Sequence, residues 1–247
     1  MLEELKRKKA KLDALRPLSQ QALAELDAWY DVELTYTSNA IEGNTLTRQE
    51  TALVLEKGLT VRGKPLKDHQ EAVDHLEALR LVRELVERNR PIAEADVCDI
   101  HRLVTSGTLK TEAGLYSQHR RRIAGSMVVF PNPAKIPALM KEFGEWLSPA
   151  QPSPETAVEA HLRLVSIHPF SDGNGRTARL LLNLILMKAG YPPLVIRPED
   201  RADYLDGIEI RQLRQERSDY ETFMYERLSA SLDDYLRFLT PEDDPEK

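Results

Sequence analysis

From Arg176 to Lys188 the chain reads RTARLLLNLILMK, and past the second arginine almost every residue is apolar. Wound into a helix, such a run shows hydrophobic side chains on every face, so the helix must be enclosed by other elements. Enclosure needs a surrounding layer, and the rest of the chain supplies amphipathic helices for it. Leu2, Leu5, Leu12 and Leu15 recur among lysines and glutamates until Pro17 interrupts the pattern. A second helix opens at Ser19, a residue suited to the N-cap, and runs through Leu23, Leu26 and Trp29 toward Tyr36. The stretch TSNAIEGNTLT then breaks the periodicity, and Thr47 with Glu50 predicts a capping box that opens the next helix. Residues 68–89 carry Val73, Leu76, Leu79, Leu81 and Leu85 on an apolar side. Further helices are predicted over 93–105, 136–147, 155–167, 175–189 and from 200 onward. Hydrophobic residues at 41%, aromatics at 6% and charged residues at 30% fit a helix-rich globular chain rather than a disordered or all-β one. The exception is RIAGSMVVF at 122–130, a β-branched run between turn signals, which predicts a short hairpin. The predicted fold class is therefore all-α with a small β-hairpin. Its segments are N-terminal helices at 1–34, a helical region at 35–92, a core at 93–225, and a C-terminal helix with a disordered tail at 226–247.

Several function classes are disfavoured at once. A net charge of −6 argues against general nucleic-acid binding. Cys98, the single cysteine, cannot close an internal disulfide and reads as a small core residue in ADVCDIHRLV. The N-terminus is charged from residue 3 and has no apolar h-region, so no secretory signal is expected. No run approaches the ~18 consecutive apolar residues of a membrane span, so the expected compartment is the cytoplasm.

The chemistry concentrates in HPFSDGNGRTAR, residues 168–179. Pro169 forces His168 out of the helical region, SDGNG turns the chain, and the enclosed helix begins. A helix N-terminus presents unpaired N–H groups and a positive dipole end, which favours anions. Gly173 and Gly175 allow positive φ and close backbone approach to a ligand. Arg176 and Arg179 lie three apart on one face and can fork onto phosphate oxygens, while Asp172 can hold a Mg²⁺ and His168 can take a proton from a hydroxyl. Together they describe transfer of a phosphate-bearing group from a nucleotide. The spacing does not match the phosphate-binding P-loop. His161, seven positions before His168, allows a two-histidine metal site or a packed helix residue.

HPFSDGNGRTAR resembles the Fic motif, HPFx(D/E)GNGRxxR, at every defined position. The resemblance covers about residues 35–225 and implies a mainly helical Fic fold and transfer of AMP from ATP, with Mg²⁺, to a Ser, Thr or Tyr hydroxyl of a target protein. By that resemblance His168 deprotonates the target hydroxyl and Asp172 holds the metal. Gly173, Asn174 and Gly175 cradle the α- and β-phosphates, Arg176 and Arg179 hold the outer ones, and Thr177 and Ala178 fall within the nucleotide-binding stretch. The hairpin, with Ile123, Ala124, Gly125, Ser126 and Met127, resembles the flap that aligns the target by strand addition.

TSNAIEGN, residues 37–44, resembles the family's inhibitory (S/T)xxxE(G/N) motif, with Ser38 and Glu42 at its defined positions. A glutamate delivered to Arg179 would form a bidentate ion pair in the place of the γ-phosphate, and Gly43 would end the short helix presenting it. Tyr204, Leu205 and Gln212 fall where relatives cover the nucleobase. ATP-using relatives often carry Tyr-Tyr and an asparagine there, so Leu205 and Gln212 leave the base open. The expected activity is an autoinhibited adenylyltransferase. A phosphodiesterase removing AMP with Glu42, or a non-catalytic nucleotide-binding regulator, are the alternatives. The implied partner is a protein with a modifiable hydroxyl, with room for self-modification and a homodimer, and neither nucleic acid nor membrane.

Overall fold

The computed structural model describes residues 1–122, 125–214 and 219–240. Ten α-helices lie among them: α1 (Leu2–Ala14), α2 (Gln20–Ile41), α3 (Arg48–Lys57), α4 (Leu66–Glu87), α5 (Glu94–Val104), α6 (Ile136–Leu147), α7 (Pro154–Ile167), α8 (Asn174–Lys188), α9 (Arg201–Arg214) and α10 (Asp219–Leu239). The apolar run is enclosed as its pattern requires. Leu180, Leu181, Leu182, Leu184, Ile185 and Leu186 of α8 are all buried, with α7, α4, α5 and α2 packed around them. The two ends of the chain meet, α1 against α10, where Lys8 Nζ donates to Asp233 Oδ2 at 2.6 Å. One hydrophobic core then runs from Leu5 in α1 to Leu232 in α10.

The local signals act as their chemistry predicts. Ser19 Oγ accepts from Ala22 N–H to open α2, and Thr47 and Glu50 complete a capping box at α3. The end of α2 differs from the sequence reading, because the helix continues past Tyr36 to Ile41. The polar residues that predict a break are buried helical residues, and their side-chain groups find partners apart from Asn39 Oδ1. Thr37 Oγ1 donates back to the Glu33 carbonyl, and Asn39 Nδ2 donates to the Glu71 carbonyl on α4. The helix that presents Glu42 is therefore long rather than short, and Gly43, at φ 93°, follows it.

The predicted hairpin is a second correction, since no strand is found among the described residues. Residues 125–130 alternate between exposed and half-buried, the period of a strand, yet among the described residues no partner strand makes a ladder with them. Ile123, Ala124 and the tail 241–247 lie outside the described residues. No described helix is long and apolar enough to cross a membrane.

Candidate active site

The site forms where α7 stops and α8 starts. His168 caps α7 in the left-handed region, φ 51° and ψ 57°, and among the described residues it is the single non-glycine with positive φ. Such a conformation costs on the order of 1 kcal/mol and persists where surrounding contacts enforce it. Those contacts are present. Asn174 turns inward, its Oδ1 accepting from Phe170 N–H and its Nδ2 donating to the Phe170 carbonyl, both at 2.9 Å. Phe170 is fully buried and stacks on His101, centroids 3.6 Å apart. His101 Nδ1 accepts from Gly114 N–H at 2.9 Å, so its Nε2–H donates to the Asp172 carbonyl, also at 2.9 Å. Burial lowers the His101 pKa to about 4, which keeps that neutral tautomer. Sequence reasoning missed His101, because its partners lie far along the chain.

Gly173 follows at φ 74°, and a β-carbon there would fall 2.8 Å from Thr105 Cγ2, so both backbone and space require glycine. The first bond of α8 runs from Thr177 N–H to the Gly173 carbonyl. The N–H groups of Asn174, Gly175 and Arg176 are thereby left without a helical acceptor, which makes an anion cradle. Thr177 and Ala178 are buried within α8.

His168 stacks on Phe130, with centroids 4.0 Å apart. Burial pushes its pKa down to about 4, opposed by a backbone hydrogen bond with Val165 and by the charges of Glu42 and Asp172. At neutral pH the ring is therefore an uncharged base, with one nitrogen tied to the backbone and the other available.

Arg179 is buried and its donors are nearly all assigned. Nε donates to Ser38 Oγ at 2.9 Å, and Nη2 donates to the Ser38 carbonyl at 2.9 Å and to Glu42 Oε1 at 2.7 Å. The Glu42 pair is a single hydrogen bond rather than the expected bidentate fork, because Ser38 occupies the other edge of the guanidinium. The carboxylate also rests on the turn itself: a β-carbon at Gly175 would lie 2.4 Å from Glu42 Oε1. Glu42 thus fills space directly over the start of α8.

Arg176 meets different acids. Its Nη1 lies 3.2 Å from Glu71 Oε1 and its Nη2 3.6 Å from Asp172 Oδ1. Nη1 is held by the Glu71 ion pair, whereas the buried Nε lacks a partner within the protein, a donor of the kind an anion satisfies. Asp172 Oδ1 accepts from Gly173 N–H at 2.7 Å, while its side chain is 49% exposed. An exposed carboxylate beside a phosphate cradle suits a hard divalent cation that takes its other ligands from phosphate and water. Among the described residues no cluster of three or more His, Cys, Asp or Glu forms a protein-only metal cage.

The remaining predicted residues lie elsewhere. Tyr204 is 1% exposed, with its hydroxyl 3.4 Å from Arg179 Nη1 and 2.7 Å from His161 Nε2, so it offers no ring face to a base. Leu205 is exposed, and Gln212 Nε2 donates to Ser166 Oγ. His161 is a packed residue between Tyr204 and Tyr220. Gly125, Ser126 and Met127 follow the undescribed Ile123 and Ala124, and Met127 N–H donates to Glu209 Oε1 on α9.

The Fic/DOC family pattern matches residues 91–186. The chain is 42% identical over 176 residues to a protein adenylyltransferase Fic of Nematostella vectensis, covering 69% of this chain and 41% of that one. It is 36% identical over 209 residues to the same-named protein of Aedes aegypti, covering 81% and 41%. The chain thus spans about two fifths of the length of these relatives. Among solved structures, a Fic domain containing signaling protein of Bacteroides thetaiotaomicron superposes with a TM-score of 0.87 at 27% identity, covering 96% of both chains. Fic-1 of C. elegans, residues 134–508, gives 0.84 at 30% identity, covering 95% of this chain and 71% of that one.

Proposed function

The chain belongs to the Fic/DOC family, and from that premise we propose that it is an autoinhibited adenylyltransferase, moving AMP from ATP to a hydroxyl of a target protein. The observation that carries this reading is Glu42, whose carboxylate is hydrogen-bonded to Arg179 and packed on Gly175 over an otherwise complete anion cradle. An acid in that place substitutes for the outer phosphate of a nucleotide and holds the site shut.

With Glu42 withdrawn, the Asn174–Arg176 N–H groups receive the inner phosphates, and Arg176, through its unpartnered Nε, and Arg179 hold the outer ones. Asp172 would hold a Mg²⁺, which when bound neutralises phosphate charge. His168 takes the proton of the target hydroxyl as its oxygen attacks the α-phosphorus. The bond from that phosphorus to the bridging oxygen breaks, and pyrophosphate leaves. The alternating segment 125–130 supports a target strand laid along it, the role expected of a flap.

The reaction is tested by intact mass of Glu42→Gly and Glu42→Gly/His168→Ala, each incubated with Mg²⁺ and one nucleoside triphosphate at a time. The expected result is a gain of AMP with ATP that His168→Ala abolishes. A gain that survives His168→Ala overturns the role of His168, and no gain with any nucleotide overturns the transferase reading.

A further inference from the structure

A chain of buried hydroxyls and imidazole lies behind Arg179 and is not used by the reaction. Tyr204, His161 and Tyr220 are 1%, 0% and 1% exposed and come from α9, α7 and α10. Arg179 Nη1 is 3.4 Å from Tyr204 Oη, Tyr204 Oη is 2.7 Å from His161 Nε2, and His161 Nδ1 is 2.6 Å from Tyr220 Oη. Tyr220 Oη lies 3.4 Å from the Val158 carbonyl.

The two ends fix the polarity of the whole chain. A guanidinium only donates and a carbonyl only accepts. Tyr204 therefore accepts from Arg179, and with His161 neutral its own hydroxyl proton goes to Nε2. The ring must carry its proton on Nδ1 and donate it to Tyr220, which donates to Val158. With His161 neutral, every link is satisfied in that one arrangement, because the other tautomer would take the Tyr220 hydroxyl proton and leave the Val158 carbonyl without a donor. Burial supplies that condition by lowering the ring's pKa to about 3.

We infer that Tyr204 is a positioning residue for Arg179, kept in register by His161 and Tyr220. Of the five guanidinium N–H groups, Ser38 takes two and Tyr204 takes one, which leaves two to face the cleft once Glu42 withdraws. The two facing donors match the oxygens of one terminal phosphate only while the plane of the guanidinium is held. Ser38 grips one edge of that plane, and the buried chain stops rotation about it. This inference rests on the proposed reading of Arg179 as the holder of the outer phosphate.

The test is calorimetric titration of Mg-ATP and Mg-ADP into Glu42→Gly/His168→Ala, where nucleotide is not consumed, and into the same protein carrying Tyr204→Phe or Tyr220→Phe. The parent is expected to prefer ATP. Tyr204→Phe should weaken ATP by about tenfold and leave ADP within about twofold, the loss of one hydrogen bond to a charged group. Tyr220→Phe, which leaves Tyr204 in place, should weaken ATP by a smaller factor, and it carries the test if Tyr204→Phe fails to fold. Equal weakening of ATP and ADP, or no change in either, overturns the inference while the function stands. A parent that does not distinguish ATP from ADP overturns the reading of Arg179 and the inference with it.

Discussion

At Gly175 a missing β-carbon decides whether Glu42 can lie over the start of α8, the place from which it is proposed to close the site. The backbone there is helical and would accept alanine, but the added carbon would lie 2.4 Å from Glu42 Oε1 and 3.1 Å from Arg179 Nη1. Gly175→Ala should therefore expel Glu42 without activating the enzyme, because the same carbon intrudes on the phosphate cradle. The melting temperature of Gly175→Ala should fall below wild type, and adding Glu42→Gly should recover part of the loss while transfer stays absent. A Gly175→Ala protein as stable as wild type would mean that the carboxylate does not rest there. Most residues of this loop were legible from sequence, because histidine, aspartate, the glycines and both arginines sit within one turn between two helices. Their fixings were not. His101, Glu71 and Tyr204 reach the loop from distant parts of the chain, and neither spacing nor periodicity connects residues across such separations.

Two elements carry the proposed control and recognition. Polar Thr37, Ser38 and Asn39 predict a break at the last turn of α2, yet all three are buried, Asn39 bonded to α4 and Ser38 to α8. Tertiary partners made that stretch helical, and propensity alone does not report them. The helix and its C-cap then carry Ser38 and Glu42 to the same guanidinium, that of Arg179. The segment 125–130 shows the opposite outcome, a strand-like sequence with strand-like alternation but no partner among the described residues. Met127 and Val129 are 78% and 80% exposed, an edge that blunting by proline tests directly. Val129→Pro in the Glu42→Gly background should reduce modification of an added protein target by about tenfold or more. Calorimetric affinity for ATP should stay unchanged. Modification at the parental rate would show that the segment does not align the target by backbone pairing.

Over the whole molecule, burial of histidines couples stability to pH. His75, His101, His161 and His168 have folded pKa values of about 3, 4, 3 and 4, against an ordinary value of 6.5, and burial is the largest cause in each. Between those limits the unfolded chain binds more protons than the folded one, so stability rises with pH across that window. It is complete above about pH 7 and lost as pH falls toward 4, by up to roughly 1.4 kcal/mol per unit for each histidine. Urea unfolding between pH 5 and 7.5 should show this slope, and His75→Gln should reduce it by about one proton. An unchanged slope in that variant would contradict the assignment. The enclosing helices were legible from the apolar run at their centre, but the pairing of α1 with α10 was not, since nothing local ties the two ends. A separate long-range contact, α2 against α8, brings Glu42 onto Arg179, and the Glu42 side chain remains 38% exposed, open to solvent on one side. The most direct test is the initial rate of AMP incorporation from ATP into wild type and Glu42→Gly under identical conditions. A lock worth about 1.4 kcal/mol or more predicts that Glu42→Gly is faster by about tenfold or more, whereas equal rates would contradict the account.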